Sequence, residues 1–187
     1  MNLIDKAREL ALEEINRFGT PAITHLDLSA GKAAELARAL GANEDIAVVG
    51  AYLMDLKLGQ AIAENRREEH IVLSAEAADV FLKGLEIEDG LRLKIVHCVL
   101  AHHGTIKYQS LEAEICANAD CYRFIHPRGM FAYYVLLGKR FSDFDECLKQ
   151  SEVKLEEKHR IISLDICRQE LEPYYQIFKG LIDKARR

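Results

Sequence analysis

The sequence predicts an all-α protein, and three observations carry that prediction. Apolar residues recur at three- and four-residue spacing almost throughout the chain, the period of one helix face. No alternating run of the kind that forms a half-buried strand extends beyond a few residues. Helix stops and caps stand between the apolar segments, and only three prolines occur, at positions 21, 127 and 173.

Taken in order, Leu3, Ala7, Leu10, Ala11, Ile15 and Phe18 share one face of a first helix, which Gly19 ends. A second helix follows Pro21 and runs to Leu40, with Gly41 as its stop. Asn43 is placed to cap a third, from Glu44 to about Leu58. The charged segment Glu64-Asn65-Arg66-Arg67-Glu68-Glu69 reads as a solvated loop or a lid. A fourth helix covers His70 to Lys83 and stops at Gly84, and a fifth runs from Asp89 to His103 and stops at Gly104. Ser110 caps a sixth, Leu111 to Ile125, which breaks at His126-Pro127-Arg128-Gly129. The last third also reads as helices. Ser142-x-x-Asp145 resembles a capping box ahead of a helix to about His159, Ser163 caps the next, and Pro173 kinks or restarts it.

Length and composition bound the function. A chain of 187 residues suffices for one domain with a proper core. Hydrophobic residues make up 49% and charged residues 29%, as in an ordinary globular protein. The formal charge is −5 with no dominant basic stretch, which argues against general nucleic-acid binding. The opening Met1-Asn2-Leu3-Ile4-Asp5-Lys6-Ala7-Arg8 carries charges where a secretory signal needs an apolar run. The longest apolar stretch, Ile46 to Met54, is too short to span a bilayer, so a cytoplasmic protein without membrane partners is expected. The five cysteines, Cys98, Cys116, Cys121, Cys147 and Cys167, form no C-x-x-C pair and read as buried free thiols.

Two apolar runs end in residues foreign to a core. Ile46-Ala47-Val48-Val49-Gly50-Ala51-Tyr52-Leu53-Met54 meets Asp55, and Ile95-Val96-His97-Cys98-Val99-Leu100-Ala101 meets His102-His103. A carboxylate at the end of a buried helix must be paired, hydrogen-bonded or metal-bound. His25 near the start of the second helix, His70 at the start of the fourth and Asp120 inside the sixth complete a series of roughly one donor per helix. Helical bundles build metal centres in this way. A mixed nitrogen and oxygen set suits a divalent ion such as Fe, Mn, Ni, Co, Zn or Mg, and the sequence does not rank them.

The order of these residues resembles the HD superfamily of metal-dependent phosphohydrolases. Thr24-His25-Leu26-Asp27, Tyr52-Leu53-Met54-Asp55-Leu56, His70-Ile71-Val72-Leu73-Ser74-Ala75-Glu76, Val99-Leu100-Ala101-His102-His103-Gly104 and Asn118-Ala119-Asp120 carry the resemblance, over about residues 20–125. It implies a single HD-like helical bundle over 1–187, with a C-terminal helical extension at about 130–187. It also implies metal ligands at His25, Asp55, His70, His102, His103 and Asp120, with either or both of the paired histidines reaching an ion. The signature histidine before the aspartate is Met54 here, and a thioether is a poor ligand for a hard or borderline dication. A weakened dinuclear site, a single ion at the position bridged by Asp55, and a retired enzyme are all compatible with that change. The activity implied is hydrolysis of a phosphomonoester or nucleotide through metal-activated water, with Asp55, Lys57 and Arg123 as catalytic candidates and Arg128 as a further phosphate contact. The alternatives are a non-catalytic ligand-binding or regulatory module and a dinuclear-iron oxygenase on the same scaffold. The expected partner is a small phosphorylated molecule, and oligomeric state is open.

Overall fold

Terminating glycines and capping side chains set the first boundaries in the computed structural model, which describes residues 2–186. Helix α1 spans Leu3–Phe18, and the Asn2 side chain accepts from the Asp5 N–H at 2.8 Å while Asp5 accepts from the Asn2 N–H. Gly19 closes it at φ +73°, a conformation costly for any side chain with a Cβ. Helix α2, Ile23–Leu40, ends in the same way at Gly41. Helix α3, Glu44–Leu53, begins at Asn43, whose side chain accepts from the Ile46 N–H.

The third helix does not reach Leu58. It stops at Leu53, and the turn Met54–Lys57 separates it from a short α4, Leu58–Ala63. The cause is tertiary: the Lys57 N–H donates to the Ser74 hydroxyl at 3.0 Å instead of to a carbonyl four residues back. The break falls at Asp55 and frees its carboxylate from the helix surface. The most apolar part of Glu44–Ala63 is 67% buried, so its hydropathy reflects a core position.

A 3-10 turn, Arg67–Glu69, leads into α5, His70–Gly84, and then come α6, Asp89–Ala101, α7, Leu111–Ile125, and α8, Pro127–Arg140. The break expected at His126–Gly129 is a helix start: the His126 ring accepts from the Arg128 N–H, and Pro127 takes the first helical position. Asp143, not Ser142, caps α9, Phe144–Ile161, by accepting from the Glu146 N–H at 2.8 Å. Ser163 does not cap α10, Asp165–Ala185; its hydroxyl and N–H are both engaged by Asn118 of α7. Pro173 lies inside α10 without ending it. The stripe Cys167, Leu171, Tyr175, Phe178 and Ile182 stays buried across it, so packing outweighs the lost backbone bond. No strand occurs among the described residues.

Helix α7 is the axis of the bundle. From Ile115 to Ile125 every residue is buried, as expected of a helix enclosed on all sides. It packs against α2, α3, α6, α8, α9 and α10. One apolar core joins α2, α3 and α7 to α8, α9 and α10, through Leu36, Ile125, Met130, Leu155 and Leu171. The other joins α3 and α7 to α1, α5 and α6, through Ala11, Val49, Leu82, Ile95 and Val99. All five cysteines are free, Cys147 half-buried and the others buried.

Candidate metal centre

Asp55 reaches the interior because α3 breaks beneath it, and its two oxygens then face different groups. Oδ2 accepts from the Arg123 guanidinium at 2.5 Å. Oδ1 lies 3.6 Å from Nε2 of His70 and 3.6 Å from Nε2 of His102. Each imidazole is oriented by its own backbone. Nδ1–H of His70 donates to the Arg67 carbonyl at 2.7 Å, and Nδ1–H of His102 donates to the Val99 carbonyl at 2.6 Å. A carbonyl only accepts, so Nδ1 of each ring carries a proton, and in the neutral ring Nε2 is then the atom that presents a lone pair.

Two Nε2 atoms and a carboxylate oxygen therefore converge. Asp55 Oδ1 and His102 Nε2 are buried without a hydrogen-bond partner. His103 completes the cluster, its ring centroid 4.4 Å from that of His102 and 5.2 Å from that of His70. The ligand atoms of His70, His102 and His103 all lie within 4.8 Å of one another. Burial lowers the pKa of His70, and burial reinforced by the neighbouring His102 takes His103 down to about 2. Burial opposes ionisation of Asp55, but Arg123 foremost, then His102 and His70, hold the carboxylate ionised well below its usual range. Neutral imidazoles beside an ionised carboxylate are the protonation states that bind a divalent cation. Two donors about 2.1 Å from one ion lie roughly 3–3.5 Å apart, so this spacing fits with slight contraction.

The other expected ligands have partners of their own. Asp120, in α7, is 1% exposed. Its Oδ1 accepts from Arg123 at 2.8 Å, and its Oδ2 pairs with the Lys158 ammonium at 2.6 Å. Burial works against the Asp120 charge, yet Lys158 and then Arg123 keep it ionised. Two carboxylates and two organic cations thus form a buried, self-neutral quartet. His25, in the first turn of α2, donates from Nε2 to the Gly129 carbonyl at 2.8 Å and packs edge-on against Phe124. Burial, then Arg123, takes its pKa down to about 4.

All six expected ligand positions are thereby located: Asp55 approaches His70 and His102, which cluster with His103, while His25 and Asp120 line the same cavity but are engaged by Gly129, Arg123 and Lys158. Met54 is 1% exposed and borders a small void of about 10 Å³ with Leu26, Ser29, Leu56, Asp55 and Arg123. Lys57, expected beside a phosphate, is paired with Glu14 at 2.9 Å and is not part of the cavity wall, and neither is Arg128.

The cluster opens into a cavity of about 460 Å³. Its apolar wall includes Leu58, Ile62, Ile71, Phe124, Tyr133, Leu136 and Val153. Five cations, Arg67, Arg123, Arg140, Lys154 and Lys158, line it beside four carboxylates, Asp55, Glu68, Asp120 and Glu157. Lys154 pairs with Glu157 at 2.6 Å. The sequence does not single out Arg140, Lys154 and Lys158, and Arg67 enters only within the Glu64–Glu69 segment read as a loop or a lid. For Lys158 a signal existed: it continues the stripe Leu148, Ser151, Leu155 on the buried face of α9, where a lysine is out of place.

No protein-family model matches the chain, and no curated protein matches it in sequence. Among solved structures, its fold is similar to that of a predicted HD superfamily hydrolase from an uncultured Thermotogales bacterium, with a TM-score of 0.68 and 16% sequence identity over 96% of this chain and 89% of that one. At that identity the likeness is one of architecture, and it spans the C-terminal helices as well as the helices that carry the histidines and aspartates. The chain therefore has the all-helical fold of the HD superfamily.

Proposed function

We propose that the protein is a metal-dependent phosphohydrolase of small phosphate esters, a phosphomonoester or nucleotide, with one divalent ion held by Asp55, His70, His102 and His103. The observation that carries this reading is that Asp55 Oδ1 and His102 Nε2 are buried 3.6 Å apart without hydrogen-bond partners. Bound there, a divalent ion supplies Lewis-acid polarisation of a phosphoryl group and acidification of water. The chain supplies the rest. Arg123 fixes Asp55 by one oxygen and so aims the other at the histidines. The carbonyls of Arg67 and Val99 hold the two rings in the ligating tautomer. Lys154 and Lys158 bring positive charge to the same cavity, where a phosphoryl group accumulates negative charge. The apolar wall limits water, and the cavity size suits a small molecule.

The Arg123–Lys158 quartet favours a second reading, a metal-free binding module, because it neutralises both buried carboxylates without an ion. Elemental analysis after dialysis against manganese or zinc separates the two. The hydrolase reading expects about one ion per chain, lost in Asp55→Ala and in His102→Ala, together with release of phosphate from a panel of phosphate esters. A metal-free wild-type chain that binds but does not cleave the panel supports the module. Iron with oxygen uptake supports an oxygenase.

A further inference from the structure

Arg67 and Arg140 come from distant parts of the chain, the 3-10 turn before α5 and the last residue of α8, and both line the cavity of the histidine cluster. Neither is in ion-pair contact with a carboxylate among the described residues, and of the arginines without such a contact these two line the cavity, where Arg123 is paired with Asp55 and Asp120. The neighbouring Arg66 takes both Glu64 and Glu69. Glu68 lines the cavity but pairs with neither arginine. Arg140 is oriented by a single neutral partner, donating to the Thr20 hydroxyl at 2.7 Å. Burial of its side chain and the adjacent Arg67 charge both push its pKa down. Two guanidiniums that line one cavity and repel one another, neither paired with a carboxylate, are stabilised by an anion that both can grip.

The proposed hydrolysis draws on Lys154, Lys158 and Arg123 and leaves the side chains of this pair without a role. Tyr133, Leu136 and Arg140 follow one another along one face of α8, and Tyr133 packs against His25 and Phe124. Seven residues of helix separate Tyr133 from Arg140, a rise of roughly 10 Å along α8. We propose that Arg67 and Arg140 form a second anion subsite, and that the substrate is a phosphate ester carrying a second phosphate at its far end, a bisphosphate. This rests on the phosphohydrolase reading for the identity of the reacting group, but the anion subsite can be read by binding alone.

The experiment is calorimetric titration of the metal-loaded protein with hexanediol bisphosphate and with hexyl phosphate, in wild type and in Arg67→Gln/Arg140→Gln. The bisphosphate should bind about ten-fold or more tightly than the monophosphate in wild type, the scale of one added charge-assisted contact. That advantage should disappear in the double variant, with metal content and melting temperature unchanged. Equal affinity for the two probes, or an advantage that survives the double substitution, overturns the proposal. If the advantage is present and depends on the arginines but neither probe is cleaved, the subsite stands and the hydrolase reading fails. If cleavage occurs without the advantage, the hydrolase reading stands and the subsite fails.

Discussion

Arg123 splits the work of Asp55 between its two oxygens. One oxygen is neutralised by the guanidinium, and the other is left to the imidazoles. The same guanidinium reaches Asp120, so the space between the two carboxylates already holds a cation. Met54 lies on this side of Asp55, bordering the small void with Arg123 rather than the large cavity. An imidazole placed there would meet the Arg123 guanidinium, and Glu14, Ser29 and Asp55, which border the void, are already engaged by Lys57, the α2 backbone and Arg123. Met54→His is therefore expected to destabilise the fold by about 1–3 kcal/mol, the cost of an unsatisfied buried polar group. It should add no metal to the chain. Urea denaturation beside a manganese titration checks both, and a second bound ion with unchanged stability would show that Arg123 moves aside.

At the scale of elements, glycine sets how closely α8 approaches the site. A Cβ on Gly129 would stand 2.4 Å from the Tyr122 carbonyl oxygen and 2.6 Å from the Arg123 carbonyl oxygen. Those atoms are backbone and cannot rotate away, so α8 starts hard against the end of α7. The same contact presents the Gly129 carbonyl to His25. Gly138, farther along α8, has open space around it. Gly129→Ala should cost at least about 1–3 kcal/mol by forcing the two helices apart. Gly138→Ala should stabilise by about 0.5–1 kcal/mol, since alanine restricts the unfolded chain and meets no obstacle. Thermal melts of the two variants read opposite signs if the close approach is as described; a common sign would show that α8 can shift at little cost.

For the whole molecule, the buried imidazoles couple folding to pH. His25 titrates at about 4 and His103 at about 2 in the folded chain, and His70 is also lowered. In the unfolded chain they take up protons near about 6.5. Below that pH the unfolded state binds more protons than the folded one, so stability falls as pH falls. The full contribution is present above about 6.5, and the His25 share is lost on the way down to pH 4. Asp55 and Asp120, both lowered, extend the loss through the carboxylate range. Urea melts in the presence of a chelator should show stability declining from pH 7 to pH 4. His25→Gln, whose amide can still donate toward Gly129, should reduce that decline by of order 2–3 kcal/mol. An unchanged pH profile in the variant would mean that His25 protonates freely in the fold.

Near-neighbour chemistry determined much of this protein from the sequence alone. Gly19, Gly41, Asn43 and Ser110 act within a turn of their own positions, and the helix ends they mark are where the structure has them. The polar endings of apolar helices at Asp55 and His102, with His70, were legible because a donor at the end of a buried helix has few ways to be satisfied. The tertiary structure alone decided what each donor meets. The break that frees Asp55 depends on Ser74, 17 residues away, and Arg123 reaches Asp55 across 68. Lys158 meets Asp120, and Arg140 joins the cavity wall, only when their helices pack against the rest of the bundle. Helix periodicity and caps are local properties of the chain, whereas the pairing of buried charges is settled only when distant helices pack and exclude water from between them.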